Sequence, residues 1–479
     1  MELIKTLSDA EIGQIRDRTE ELLETVGLRV DHPGLLRMCQ AAGATVDEPA
    51  ARVRFPRPLL RELLASVPST YVRRGSGGSP AGDVIGGGKQ HAHAIVTDPW
   101  IVDYETQKPR RPRLEDVRRH TVIAQKLDPI SSISLMDFPV ADIPEPISYL
   151  RAFEEHVLYH NKHIYVYAAN EERFADWLNV VRILGGSDDL TQGRRGKLPL
   201  ASVAVGVLSP LAVTALNVEF LLSACANNLP VIPTTCPIAG MTSPYSMAST
   251  LLQSNVETIG LAALTQVVRR GHPYQYGMGP SIGHMRQMHD MYYTLDTLLW
   301  SLAAVQLGKS YNIPVGAACG GSMTYRYDQQ NGAEGALFML AAANSGADLI
   351  GSFGSTYNAI GMSAEMMLIH SAWLAAAQYL KRGIQVDELR LGVESLRRAG
   401  PGGSFITDDL TVQLLRKREF FSHDLFDYAA ETATDSPSLL ARAHAKVEQM
   451  VTNPQSPHPG QVQENLHRYF AGRYRQLGS

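Results

Sequence analysis

The chain reads as an α/β protein, a TIM (β/α)8 barrel with additional helices at both ends. Three observations predict this: a length of 479 residues, a run of short β-rich segments alternating with long helical patterns, and glycines and aromatics gathered where those segments end. A barrel of roughly 250 residues plus helical additions accounts for the length as one elaborated unit.

In chain order, Ser8 followed by Glu11 forms a capping box ahead of a helix whose Ile12, Ile15, Leu22, Leu23 and Val26 recur at helical spacing before Gly27. A second helical stretch, Pro58 to Val67, completes a small amino-terminal layer. Gly75 to Lys89 (GSGGSPAGDVIGGGK) is a loop by its glycine content, either a linker or a lid over a site. AHAIVTDPWIVDYET then reads as a hairpin.

Strands are predicted in SSISLMDF near 131, HIYVYAAN near 163, LASVAVGVL near 200, PVIPTTCP near 230, PYQYGMG near 273, IPVGAACGG near 313 and ADLIGSFG near 348. Seven such units imply a parallel sheet closed as a barrel. The eighth strand lies either in AGPGGSFIT around 402 or in the hairpin. From about Asp408 the pattern turns polar and helical, placing carboxy-terminal helices outside the barrel, with TNPQSPHPG a loop before the last one. The expected division is 1–88 for the amino-terminal layer and loop, 89–407 for the barrel, and 408–479 for the helical extension.

Composition excludes several classes. A formal net charge of -4, with 19% charged and 44% hydrophobic residues, predicts no nucleic-acid binding. No uncharged apolar run spans a bilayer, and the charged start MELIKTLSDAEIGQIRDR lacks the apolar core of a secretory signal. Four cysteines, Cys39, Cys225, Cys236 and Cys319, form no C-x-x-C pair and are expected as buried thiols in a reducing, cytoplasmic compartment.

Phosphate motifs fail. Gly308-Lys309-Ser310 has Ala303 where a P-loop needs glycine, and Gly277, Gly279 and Gly283 have the wrong third spacing, interrupted by Pro280. His156, His160 and His163 fall at i, i+4 and i+7 beside Glu154 and Glu155, a metal reading countered by Asn161-Lys162, where the turn into the next strand begins. His91, His93, His284 and His289 are weaker candidates. His370 lies in an apolar helix and reads as structural. No G-x-S-x-G elbow occurs, and Cys319 has no assignable base. The strand ends instead carry Tyr276, Tyr325, Tyr327, Phe353 and Tyr357 alongside Asn358, a composition suited to an aromatic pocket for a cation; packing is the competing role for each ring.

Four segments, CPIAGMTSPYSMASTLLQSNVE from Cys236, YGMGPSIGHM from Tyr276, GGSMTYRYDQQNGAEGAL from Gly320 and SGADLIGSFG from Ser345, resemble in order and spacing the trimethylamine methyltransferase family of corrinoid-dependent enzymes. Weaker likeness extends upstream through GGKQHAHAIVTD, KPRRPRLEDVRRH and DFPVADIPEP. The resemblance implies a barrel that presents an N-methyl group to the Co(I) of a separate corrinoid protein, with cobalamin carried by that partner and no metal or tightly bound cofactor here. Members acting on trimethylamine carry pyrrolysine near the region of Gly320 to Arg326; this chain has only standard residues, which resembles the branch acting on glycine betaine and similar quaternary amines. The resemblance further implies a homo-oligomer. Tyr276, His284, Tyr325, Arg326, Tyr327, Phe353, Tyr357 and Asn358 are the expected substrate-binding residues, with Arg326, His284 and Asn358 as candidates for a substrate carboxylate; no catalytic residue is assigned. The alternatives are a metal-dependent barrel hydrolase using His156, His160 or the other histidines, or a non-catalytic betaine-binding barrel.

Overall fold

A computed structural model describes residues 5–77, 82–186, 199–428 and 436–478. Its centre is a closed ring of eight parallel strands, each followed by a helix. The units are β1 (His91–Ile95) and α1 (Leu114–Lys126), β2 (Ile130–Leu135) and α2 (Ser148–Leu158), β3 (His163–Val166) and α3 (Glu171–Gly185), β4 (Ala201–Val207) and α4 (Ala215–Ala226), β5 (Val231–Thr235) and α5 (Met247–Val268), β6 (residues 274–276) and α6 (Leu295–Ser310), β7 (Gly316–Ala318) and α7 (Gln329–Asn344), and β8 (Leu349–Phe353) and α8 (Ala364–Arg382). Seven strands pair in the order β5, β4, β3, β2, β1, β8, β7. β6 closes the ring through parallel bridges from Tyr274 to Val231 and from Tyr276 to Val315. The fold is the TIM barrel expected.

The eighth strand is the first half of the segment read as a hairpin. β1 runs parallel to both β2 and β8, while Trp100–Val102 leaves the ring to pair with Gly361–Met362 and Pro109–Arg110. The Asp98-Pro99 dipeptide is therefore an exit from the barrel, not a turn between paired strands. The alternative around 402 lies in exposed irregular chain.

Side-chain hydrogen bonds fix where the helices begin: Asn170, Thr214, Ser246, Thr294, Asp328 and Ser363 each cap the helix that follows by accepting a backbone N–H of its first turn. The Ser8–Glu11 capping box forms as expected ahead of helix Asp9–Thr25. This helix packs on α5, where Asn255 Nδ2 donates to Thr19 Oγ1 at 2.7 Å. At Gly260 of α5 a Cβ would stand 2.6 Å from Leu28 Cδ1, so the amino-terminal layer seats against bare backbone. Strand Leu28–Val30 pairs with Ala212–Val213 of the β4–α4 loop.

The glycine-rich segment contributes to a hairpin of Tyr71–Arg73 with Asp83–Ile85. Hydrogen bonds from Arg74 N to Pro199 O and from Gly77 N to Asn161 O hold it at the amino-terminal ends of β3 and β4. It closes the bottom of the barrel, opposite the end where a lid over an active site would sit; residues 78–81 of that loop lie outside the described residues.

Beyond α8 the chain runs over the surface through short helices Glu388–Leu391, Val393–Ala399 and Asp409–Arg416. Helix Leu439–Val451 returns to the barrel, where His444 Nδ1 meets Glu365 Oε1 of α8 at 2.9 Å, and Gly460–Gln476 buries Leu466 and Phe470 beside α2 and α3. Among the described residues no helix is long and apolar enough to cross a membrane.

Candidate functional site

The carboxyl ends of the strands open into a cavity of about 370 Å³, the face on which TIM barrels place their chemistry. Small residues make the room. Barrel interiors are ordinarily filled by branched side chains, but here β6, β7 and β8 contribute Gly277, Gly316, Ala318 and Gly351 to the inner wall. The floor is a layer of Tyr165, Ile232 and Leu349 with Gln275 beside them.

Four tyrosines line this cavity: Tyr165 and Tyr167 from β3 and just beyond it, and Tyr292 and Tyr293 from the β6–α6 loop. Burial pushes the phenols of all four above their ordinary range, so they remain neutral rings at working pH. Tyr293 packs edge-on against Phe338 at 5.6 Å and stands edge-to-face with Tyr292 at 5.2 Å. Its ring abuts Gly321, where φ is +99° and a Cβ would lie 2.2 Å from Tyr293 Cζ. The Gly320-Gly321 pair is thus required both by its left-handed backbone and by the ring pressed onto it.

Among the described residues, Asp98 is the one carboxylate lining this cavity. It stands just past the end of β1, 5% exposed, and no hydrogen-bond donor or cation among the described residues reaches its side chain. Burial alone pushes its carboxyl well above the usual carboxylate range. An acid buried without a partner beside tyrosine rings is costly to ionise unless a cation comes to it.

His93 rises from β1 between Ser132 Oγ at 3.0 Å and Ser134 Oγ at 3.1 Å and stacks on Tyr165 with ring centroids 4.3 Å apart. Burial, and then the Arg73 guanidinium, lower its pKa to about 3, so it is a neutral hydrogen-bonding group. Cys236 opens into the cavity, correcting its expected burial; Cys39, Cys225 and Cys319 are buried as expected.

None of the eight residues expected to bind substrate lines this cavity. Tyr276 alternates with Gln275 on β6, and Gln275 points inward, so Tyr276 faces α5, where its hydroxyl donates to Asn255 Oδ1 at 2.6 Å. Phe353 shares a parity with inward Leu349 and Gly351, but the register shifts between Ile350 and Phe353 and Ser352 takes φ +87°. That irregularity turns Ser352 inward and leaves Phe353 fully buried against His370. His370 is structural as expected, accepting the Gly354 N–H at 3.1 Å.

Tyr327 donates to Val102 O and Ser363 Oγ, outside the mouth. Tyr325 and Tyr357 pair edge-to-face at 5.2 Å, and Arg326 is exposed. His284 stacks on His289 and accepts the Gln287 N–H. Asn358 acts on the cavity through its neighbours. Its Oδ1 accepts the Tyr292 N–H at 2.6 Å and its Nδ2 donates to Asp290 O at 2.6 Å, clamping the loop that carries Tyr292 and Tyr293.

The histidine trio does not converge. α2 ends at Leu158; His156 and His160 meet Nε2 to Nε2 at 3.2 Å behind the barrel wall, while His163 turns into β3 and bonds Arg74 O and Ser202 Oγ. No group of three or more metal-ligating side chains occurs among the described residues. A wider cleft of about 490 Å³ lies beside α1 and α8, but its charges already pair with one another, Arg110 with Asp116 at 2.7 Å and His444 with Glu365 at 2.9 Å.

Asp98, Tyr292 and Tyr293 are not marked by the sequence: Asp98 lies in the segment that reads as a hairpin, and no motif in the β6–α6 loop singles out the two tyrosines. A carboxylate directly after a barrel strand was the available signal.

Comparison with known proteins follows the same direction. Residues 1–478 match the sequence profile of the trimethylamine methyltransferase (MTTB) family. The chain is 26% identical over 412 residues to trimethylamine methyltransferase MttB of Desulfitobacterium hafniense (strain DSM 10664 / DCB-2), covering 85% of this chain and 81% of that one. It is 24% identical over 480 residues to glycine betaine methyltransferase of Desulfitobacterium hafniense (strain Y51), covering 98% of each. Among solved structures, monomethylamine methyltransferase of Methanosarcina barkeri is similar over 98% of this chain and 92% of that one, at 13% identity and a TM-score of 0.48. With its full length matched to one profile, the chain is a methyltransferase and belongs to the trimethylamine methyltransferase family.

Proposed function

We propose that this methyltransferase takes a methyl group from a quaternary amine, glycine betaine first among the candidates, and delivers it to the Co(I) of a separate corrinoid protein. The observation that carries this reading is Asp98, a buried carboxylate without a partner in a cavity walled by four tyrosines. A trimethylammonium head has no N–H to donate, so it is recognised by charge and by ring faces, each cation–π contact contributing on the order of 0.5–2 kcal/mol. Asp98 supplies the opposite charge.

The chemistry asks little else of the chain. When the C–N bond breaks, its electron pair stays on nitrogen and a neutral tertiary amine leaves, so no residue has to protonate the leaving group. A trimethylamine would instead leave as an amide anion equivalent unless protonated or otherwise activated. What remains for the protein is to orient one methyl toward the mouth and exclude water around the head. The corrinoid supplies the reduced cobalt that receives the methyl. A cavity of about 370 Å³ is of small-molecule size, which fits a cofactor offered from outside by a partner. Exposed Leu208, Tyr245 and Met288 lie on loops of the same face and suit such a contact.

The test is demethylation of glycine betaine, proline betaine, carnitine, choline and trimethylamine with chemically reduced cobalamin or a cognate corrinoid protein, followed by the corrinoid spectrum and by mass spectrometry of the amine. Turnover of one quaternary amine and not of trimethylamine is the expected result. Turnover of trimethylamine alone would overturn the reading. The four free cysteines agree with a cytoplasmic setting, and the apolar side chains exposed between residues 384 and 420 agree with self-association.

A further inference from the structure

Arg73 is buried at the bottom of the barrel with no carboxylate among the described residues to pair with it. Its Nη2 donates to Ser131 Oγ at 2.9 Å and Ser132 Oγ at 3.2 Å, and its Nη1 donates to Tyr165 Oη at 3.0 Å. The Tyr165 hydroxyl donates in turn to Gln275 Oε1 at 3.0 Å, and the Tyr71 hydroxyl reaches the same Oε1 at 3.2 Å. Two hydroxyls on one amide oxygen set the orientation of that amide: Oε1 is held on the side of Tyr165 and Tyr71, which leaves Nε2 on the side of Gly316. Gln275 is 4% exposed and lines the cavity, and its Nε2 meets no acceptor among the described residues. Gly316 gives it room, since a Cβ there would lie 2.5 Å from Nε2.

A buried amide N–H without an acceptor awaits one. This one is backed by a relay that begins at a cation, so the floor is electropositive and offers a donor, while Asp98 beyond the opposite end of the strands offers a negative charge. We infer that Gln275 is the specificity-determining residue that receives the carboxylate of the substrate, with Arg73 and Tyr165 as positioning residues that aim its amide. The cavity is bipolar along the barrel axis. A zwitterion is held acid-end down and ammonium-end up, which is the orientation that leaves an N-methyl at the mouth. Arg326, His284 and Asn358, the carboxylate candidates drawn from the sequence, are outside the cavity and have no part in this.

The inference rests on the reading of Asp98 and the tyrosines as the ammonium site, and titration calorimetry on the purified full chain separates the two. The probes are tetramethylammonium, choline and glycine betaine. The wild-type protein is expected to bind glycine betaine about ten- to a hundredfold more tightly than tetramethylammonium, with choline close to tetramethylammonium. Gln275→Leu should erase that advantage and leave tetramethylammonium affinity within about twofold. Tyr165→Phe, which keeps the ring but removes the hydroxyl that aims the amide, should lose part of the advantage and again spare tetramethylammonium. Arg73→Met is the third variant, read only if it unfolds at the wild-type temperature. Failure of every probe to bind would bring down the ammonium site and this inference with it. Binding of tetramethylammonium with no preference for glycine betaine would overturn the inference and leave the ammonium site standing. Equal weakening of all three probes by Gln275→Leu would show a merely structural floor and overturn it as well.

Discussion

Asn358 Oδ1 accepts the backbone N–H of Tyr292 at 2.6 Å, tying the loop after β8 to the loop after β6. Asn358 does this from φ +55°, in a left-handed run with Tyr357 and Ala359 that asparagine tolerates better than most residues. Its amide also donates to Asp290 O. Asn358→Asp keeps the size and the backbone preference but sets a carboxylate oxygen against that carbonyl. The expected result is a rise of about tenfold in KM for the quaternary amine with a much smaller fall in kcat. Unchanged KM would show that the clamp does not position Tyr292 and Tyr293.

Asp98 couples stability and binding to pH in opposite senses. Its folded-state pKa is raised, so the empty protein favours the protonated acid, and stability declines as pH rises from the unfolded value of about 4 toward the folded one. Asp98→Asn removes that decline and should be more stable than wild type at pH 8, by on the order of 1–3 kcal/mol. The same variant should bind tetramethylammonium about ten- to a hundredfold more weakly. In the wild type, cation affinity should increase with pH over the same window, because only the ionised acid attracts a cation, and binding should release a proton measurable by calorimetry in buffers of different ionisation enthalpy. Affinity independent of pH from 4 to 8 would exclude Asp98 as the counter-charge.

Gly321→Ala drives a methyl group into the Tyr293 ring from a backbone that disfavours any side chain. A loss of on the order of 1–3 kcal/mol in stability is expected, together with weakened tetramethylammonium binding. Gly332→Ala in α7 meets nothing within 4 Å and serves as the control. Its stability should hold or rise by up to about 1 kcal/mol. Equal behaviour of the two variants would deny Tyr293 its place in the ammonium site.

The surface segment after α8 exposes Ile384 at 94%, Ile406 at 84% and Phe420 at 79%. Leaving large apolar side chains this open is uncommon unless another surface covers them. Ile406→Glu with Phe420→Glu is expected to lower the mass seen by light scattering, with the thermal transition of the barrel retained. A monomeric wild-type protein would remove self-association from the proposal.

Alternation of β-rich and helical segments, together with length, made the barrel legible, since each barrel unit depends on local patterning and capping residues such as Ser246 and Ser363 that any reader of the chain can find. It equally marked seven of the eight strands and left the eighth between two places. The family likeness was carried by the stretches after Cys236, Tyr276, Gly320 and Ser345, which hold the glycines and loops that shape the mouth.

Which face of a strand a residue takes was another matter. Gln275 and Tyr276 are neighbours with opposite fates, decided by the register of β6 against β5 and β7, and Phe353 was turned away by an irregularity that no local pattern announces. Asp98 lies within the segment that reads as a hairpin; only the parallel pairing of β1 with β2 and β8 places it just past the end of a barrel strand. The sequence by itself determined the elements, their order and the family. Tertiary structure alone decided the site, because an unpartnered acid, an amide N–H without an acceptor and four tyrosines come to line one cavity only when closure of the sheet brings strands hundreds of residues apart onto one axis.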